Sequence, residues 1–151
     1  MPMVAAAAGV GVASIYRQFP SKSDLLAALV IRRLEQIGAA AAQAIAAPGD
    51  RWTAFTGLLR AVVAGQSADD FLSDAFRQVS DHADVIAEQR LAAAQINALM
   101  AQAQDEGRLR ADATAEDVWL VFAATKAARL ARADAFLRML ELLIDGLEAR
   151  P

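Results

Sequence analysis

The sequence predicts an all-α protein, and three observations support that prediction. Hydrophobic residues make up 56% of the 151 residues, and many of them are alanine, the strongest helix former. Apolar residues recur every three or four positions along long stretches of the chain, which is the period of an α-helix. Glycine, proline and capping residues interrupt this pattern, so we expect a series of separate amphipathic helices.

Two short helices joined by a tight turn are predicted at the start of the chain. The first covers residues 4–8 and ends at Gly9, and the second covers residues 12–19 and ends at Pro20. The glycines of the intervening Gly9-Val10-Gly11 permit the positive φ that a tight turn needs. The turn would let the second helix cross the first and bring its leading residues into a DNA major groove.

Capping residues predict where the later helices begin and end. Ser21 with Asp24 predicts a capping box that opens a long helix, and Pro48-Gly49 ends it. Asp50 caps the next helix, with Gly65 at its end. The remaining signals are Ser67 with Asp70, Asp81 with Asp84, Gly107 as a helix stop, Thr114 with Asp117, and a last helix from about residue 133.

Composition and charge limit the possible functions. The chain has no cysteine, which excludes disulfides, thiolate catalysis and cysteine-ligated zinc. The first 35 residues carry a net charge of +2 and the rest −5, which is compatible with DNA contact at one end. No apolar run approaches the roughly 20 residues of a membrane span, and no basic region precedes the first apolar stretch. We therefore expect a cytoplasmic protein without a cofactor.

Residues 4–26, VAAAAGVGVASIYRQFPSKSDLL, contain the most informative motif. Ile15 and Phe19, four positions apart, would lie on one face of the second helix and pack it against the rest of the protein. Tyr16 and Arg17 fall toward its opposite side, where they could meet phosphates or base edges. The Ala-rich helix, the Gly-Val turn, the Ile-Tyr-x-x-Phe sequence and the Ser-Lys step resemble the helix-turn-helix and following helix of the TetR (tetracycline repressor) family.

The resemblance implies which residues contact operator DNA. Gly11 departs from the family pattern, which often has serine or threonine as a cap at this position. Gln18 stands where the family often has an aromatic residue or histidine, so the operator sequence does not follow from the motif. The DNA-contacting residues implied by the resemblance are Val12, Ala13, Ser14, Tyr16, Arg17, Gln18 and Lys22.

The end of the chain is also similar to the family. The final helix is apolar over more than one face, which suggests a second packing partner. Residues 106–124 and 140–147 resemble the family's last two helices, which form a four-helix interface between two copies. The homodimer interface predicted in this way consists of Val121, Thr125, Phe136, Leu140, Leu143, Ile144 and Leu147.

The resemblance implies two domains and a function. Residues 1–38 would be the truncated DNA-binding head with its connecting helix, and residues 39–151 a helical ligand-binding and dimerisation domain. The function implied is transcriptional regulation by a repressor that a small apolar or amphipathic effector releases from its operator. The effector pocket would be lined by Trp52, Phe55, Phe76, Ile96, Met100, Trp119 and Phe122. Neither a metal-ligand cluster nor a phosphate loop is present in the sequence.

Family members carry a first helix of about 20 residues or more ahead of this point, and this sequence starts at the equivalent of the second. Without that first helix, the apolar faces of the other two helices of the head would be uncovered, which would impair operator binding by this chain. A misassigned start, a shortened chain and a genuine loss of DNA binding are all compatible with the sequence.

Two other classes of function are weighed against a regulator. One is a helical ligand-binding or scaffolding dimer that has lost DNA binding. The other is a small α-helical enzyme, but no acid–base or nucleophile constellation is present. His82, the only histidine, lies beside Asp81 and Asp84 in a predicted loop, where solvation is expected in place of catalysis or metal binding.

Overall fold

The computed structural model of the protein describes residues 1–66, 70–132 and 135–149. These residues form helices and no named strand, which confirms the all-α prediction; Leu109 and Glu148 make an isolated antiparallel bridge. The helices are α1 (Pro2–Ala8), α2 (Val12–Gln18), α3 (Lys22–Ala46), α4 (Arg51–Gln66), α5 (Asp70–Gln78), α6 (Ala83–Asp105), α7 (Ala115–Ala131) and α8 (Ala135–Leu147).

Side-chain caps begin three of the long helices as predicted. At the start of α3, the Asp24 backbone N–H donates to Ser21 Oγ over 3.1 Å, and the Ser21 N–H donates to Asp24 Oδ2 over 2.8 Å. The reciprocal box of Thr114 with Asp117 begins α7. Asp50 Oδ1 accepts the Thr53 N–H over 2.8 Å and so caps α4. These caps satisfy backbone donors that the first helical turn leaves unpaired.

Two predicted helix boundaries are wrong. Asp81 does not cap α6, because the N-cap is His82, whose carbonyl accepts the Ile86 N–H and whose side chain makes no capping bond. Gly65 does not end α4, which continues to Gln66. Gly107 does end its helix, with a φ of 68°. The signature at Ser67 lies outside the described residues.

Gly65 instead makes room for an arginine from the connecting helix. The Arg33 guanidinium of α3 donates to the Val62 carbonyl over 3.1 Å. A Cβ added at Gly65 would lie 2.6 Å from Arg33 Nη2, so only glycine admits the guanidinium in this position. Arg33 therefore ties α3 to the C-terminal part of α4.

We expect Gly65→Ala to stabilise the protein by about 1 kcal/mol less than an alanine substitution elsewhere in α4, because its methyl group displaces Arg33 from the Val62 carbonyl. Gly57→Ala is the matched control in the same helix, since nothing lies within 4 Å of its added Cβ. Alanine is the better helix former, so this control should gain about 0.5–1 kcal/mol. Urea unfolding measures both, and an equal gain in the two variants would contradict the role of Arg33.

Two apolar clusters hold the helices together. The junction cluster joins the first half of α3 to α5 and α6, and its buried residues are Leu26, Ala27, Val30, Leu34, Ala75, Val79, Val85 and Ala92. The main core lies among the end of α3, α4, α6, α7 and α8. Its buried residues are Ile37, Ala41, Trp52, Phe55, Leu58, Leu59, Val62, Val63, Ile96, Leu99, Met100, Ala103, Leu109, Val118, Val121, Phe122, Leu140, Ile144 and Leu147.

The long helix α3 contributes to both clusters. The boundary predicted between residues 38 and 39 falls inside this continuous helix. Gly38 lies at a close crossing, where a Cβ would sit 3.5 Å from the Ala92 Cα of α6. Helix α3 is therefore positioned to connect the first two helices with the rest of the chain. No helix in the described ranges has the length and apolar character needed to cross a membrane.

Candidate nucleic-acid interface

The turn between α1 and α2 is built by backbone hydrogen bonds around Gly9. The Val10 N–H donates to the Ala5 carbonyl over 3.0 Å, and the Gly9 N–H donates to the Ala6 carbonyl over 3.3 Å. This pair of bonds is a Schellman motif, which needs a left-handed residue, and Gly9 has a φ of 66°. Gly11 is extended, with a φ of −70°, and precedes α2 without a side-chain cap.

Helix α2 has one buried anchor and a broad exposed surface. Ile15 is 7% exposed and Phe19 is half-buried, as their spacing predicts. Tyr16 is 48% exposed on the other side of the helix. Phe19 is extended because Pro20 follows, and this ends the helix. The anchored side faces the protein, and the opposite side faces solvent.

All seven predicted DNA-contacting residues are exposed. The Arg17 guanidinium donates to Ser14 Oγ over 3.0 Å, so two of the candidates are held together on one side of α2. Lys22 lies in the first turn of α3, where free backbone N–H groups and the helix dipole favour a phosphate. The structure thus places hydroxyl, phenol, guanidinium and ammonium groups on one accessible stretch of chain.

The carboxylate of Asp24 is also present at this end of α3. Hydrogen bonds from the Ser21 hydroxyl and then the Ser21 backbone N–H hold the pKa of the Asp24 carboxyl below its ordinary value. Asp24 therefore stays ionised at neutral pH, and its carboxylate is engaged in hydrogen bonds with Ser21 in the cap of α3. Lys22 remains as the cation of this turn that is exposed to a phosphate.

The predicted effector-pocket residues divide between the two clusters. Five of them are packed in the main core, and Trp119 is partly buried against both clusters. Phe76 belongs instead to the edge of the junction cluster. Trp119 and Phe122 meet edge to face, with ring centroids 5.7 Å apart. The structure therefore brings six of the seven candidates close to a common core and separates Phe76 from the main core.

Most of the predicted dimer-interface residues are buried within their own chain. Five of them are 8% exposed or less because they face the core of their own chain; they are Val121, Thr125, Leu140, Ile144 and Leu147. Phe136 and Leu143 are only partly buried, at the edge of the same core. The apolar side chains that α7 and α8 do present to solvent are Leu120, Leu130, Leu137 and Leu142, at 65%, 67%, 55% and 48% exposure. Helical spacing identified apolar faces but not which face is turned outward.

Comparison with known protein families shows which family the chain belongs to. Residues 1–29 match the family described as bacterial regulatory proteins, tetR family. Residues 47–149, more than half of the chain, match the family described as transcriptional regulator SbtR-like, C-terminal domain. The chain belongs to the TetR family. The protein is thus a TetR-family transcriptional regulator, and the resemblance of its first helices to that family is confirmed.

Solved structures of TetR regulators share the fold. A TetR transcriptional regulator from Streptomyces coelicolor is 25% identical, with a TM-score of 0.71 over 98% of this chain and 86% of the other. A TetR transcription regulatory protein from Mycobacterium vanbaalenii is 28% identical, with a TM-score of 0.62 over 97% of this chain and 81% of the other. A comparison with curated proteins gives no match.

Proposed function

We propose that this TetR-family protein binds operator DNA through α2 and the start of α3. The observation that carries the proposal is the placement of α2, which Ile15 anchors while Tyr16 and Arg17 stay exposed. Base edges would be read from α2, and Lys22 would neutralise a phosphate. Such binding depends strongly on salt, since each phosphate contact releases counterions.

Single substitutions test these two roles by fluorescence anisotropy with labelled duplexes at about 50 mM salt, where phosphate contacts are strongest. Lys22→Ala is expected to weaken binding to all duplexes about equally and to lower the salt slope by about 1. Arg17→Ala and Tyr16→Ala are expected to change the preference among sequences as well. Arg108→Ala is the control that removes an equal charge beyond the far end of α6. If Arg108→Ala weakened binding as much as Lys22→Ala, the loss would reflect net charge alone.

A homodimer is the second part of the proposal. Two recognition helices must reach half-sites about one DNA turn apart, which a two-fold dimer provides. The exposed leucines of α7 and α8 support this assembly, because these two helices pack against each other and together expose four leucines. The interface proposed here therefore uses Leu120, Leu130, Leu137 and Leu142.

Repression relieved by an apolar effector is the third part. Most of the side chains proposed as pocket walls are buried in the described structure, and Phe55 and Ile96 are fully buried. An effector would have to separate α4, α6 and α7 to reach them. That movement would be transmitted along α3, which packs against α4 and α6. The ligand chemistry proposed is apolar or amphipathic because Trp52, Phe55, Met100 and Phe122 offer no charge.

The effector proposal predicts that an apolar compound raises the melting temperature and releases bound DNA. Binding at 100 times the dissociation constant adds about 2.7 kcal/mol to the stability of the folded state. A thermal-shift screen of apolar compounds, metal ions and nucleotides measures the first effect, and anisotropy measures the second. A shift produced only by zinc or a nucleotide would contradict the apolar pocket.

A further inference from the structure

His82, flanked by two carboxylates, lies where the head, formed by α1, α2 and the start of α3, meets the body, formed by the remaining helices. The end of α2, the start of α3 and the turn between α5 and α6 surround a cavity of about 280 Å³. His82 Nε2 is 3.8 Å from Asp24 Oδ1, and His82 Nδ1 is 3.9 Å from Asp84 Oδ2. Nδ1 is buried and has no hydrogen-bond partner in the described structure.

The chemistry of imidazole makes this arrangement sensitive to protonation. A neutral imidazole has one N–H, and its other nitrogen presents a lone pair. With a carboxylate beside each nitrogen, one carboxylate must face that lone pair. The imidazolium form has two N–H groups and attracts both carboxylates. Protonation therefore converts an unmatched contact into a bridge between Asp24 and Asp84.

The charges around His82 favour that bridge. Among the described residues that line the cavity, the titratable groups are His82 and the two aspartates, and Gln18 is neutral. Asp81, in the same turn, is exposed and adds a further negative charge. The nearest basic residue along the chain in α5, Arg77, donates to Asp74 over 2.8 Å. Asp24 is already ionised because of its bonds to Ser21.

The location gives the bridge a mechanical role. In the described structure, α1 and α2 contact each other more than they contact the remaining helices. Asp24 lies in the first turn of α3, just after the Phe19-Pro20 link from α2, whereas Asp84 lies in the first turn of α6. Attraction of both carboxylates to a protonated His82 would therefore draw the start of α3, where the link from α2 enters, toward the start of α6.

We infer that His82 is a positioning residue that fixes the head on the body when its imidazole is protonated. The inference deepens the proposed function and rests on it, because the orientation of α2 decides whether two copies fit adjacent half-sites. Histidine is the side chain that ordinarily changes charge between about pH 5 and pH 8.

Hydrogen exchange of the full chain tests the inference without DNA. Protection factors of the α2 amides, corrected for intrinsic exchange rates, are measured at about pH 8 and pH 6. We expect the acid-side increase to be about two- to fivefold in the parent chain, as for partly exposed ion pairs. His82→Gln should abolish the increase and Asp84→Asn should reduce it. Asp81→Asn, which removes an equal charge from the same turn, should leave most of it.

The variants distinguish a bridge through His82 from a general effect of charge in this turn. Loss of the pH dependence in His82→Gln, with main-core amides of α6 unchanged, supports the bridge. An unchanged profile in His82→Gln, or an equal loss in Asp81→Asn and Asp84→Asn, would overturn it. Because exchange is measured in free protein, that failure would be separate from a failure of DNA binding.

Discussion

Truncation of Phe55 to alanine is expected to lower the free energy of unfolding by about 3–5 kcal/mol. Phe55 is 0% exposed in the main core, and its ring centroid lies 6.1 Å from that of Trp52. Alanine removes the whole ring and leaves a cavity between α4 and its neighbours, which close packing prevents the core from filling. Urea unfolding at fixed protein concentration measures the change.

Phe136→Ala is the control for this prediction. Phe136 is only partly buried against the same core, so its truncation removes less buried surface. Its expected cost is less than half that of Phe55→Ala. Equal losses would mean that α8 is as firmly packed as α4, contrary to the burial observed here.

Replacing Leu120 with glutamate is expected to weaken self-association by at least about 100-fold, because a charge without a partner would be buried between two copies. Leu120 is 65% exposed in the single chain, so the substitution leaves the fold of each copy intact. Sedimentation velocity over a range of concentrations measures the dissociation.

Leu91→Glu is the matched control for the interface. Leu91 is 61% exposed but lies on α6, outside the two helices proposed to form the interface. This variant should sediment like the parent. If Leu91→Glu dissociated the protein and Leu120→Glu did not, the interface would involve α6 instead of α7 and α8.

Local signals in the sequence predicted local structure well. The boxes at Ser21 and Thr114 depend on residues three positions apart, so the sequence contains all the partners. The same reasoning failed at Asp81. Its spacing to Asp84 is that of a capping box, but the turn at residues 79–82 makes His82 the N-cap of α6.

Long-range packing could not be predicted in the same way. A helical period shows that α8 is apolar on several faces, but only tertiary packing buries Leu140 and exposes Leu137. The separation of Phe76 from the other aromatic candidates likewise depends on where α5 packs. The contacts of His82 with Asp24, 58 positions away along the chain, give no sequence signal beyond the histidine itself.

Selection of bound duplexes from a random pool tests the central claim most directly. A TetR-family regulator that reads DNA through α2 should enrich a palindromic motif with half-sites about one helical turn apart. Arg17→Ala should alter that motif, whereas Arg108→Ala should enrich the same one. A motif that Arg17→Ala enriches unchanged, together with equal retention of DNA by Lys22→Ala and the parent chain, would contradict the assignment of α2 and the start of α3 as the DNA-binding surface.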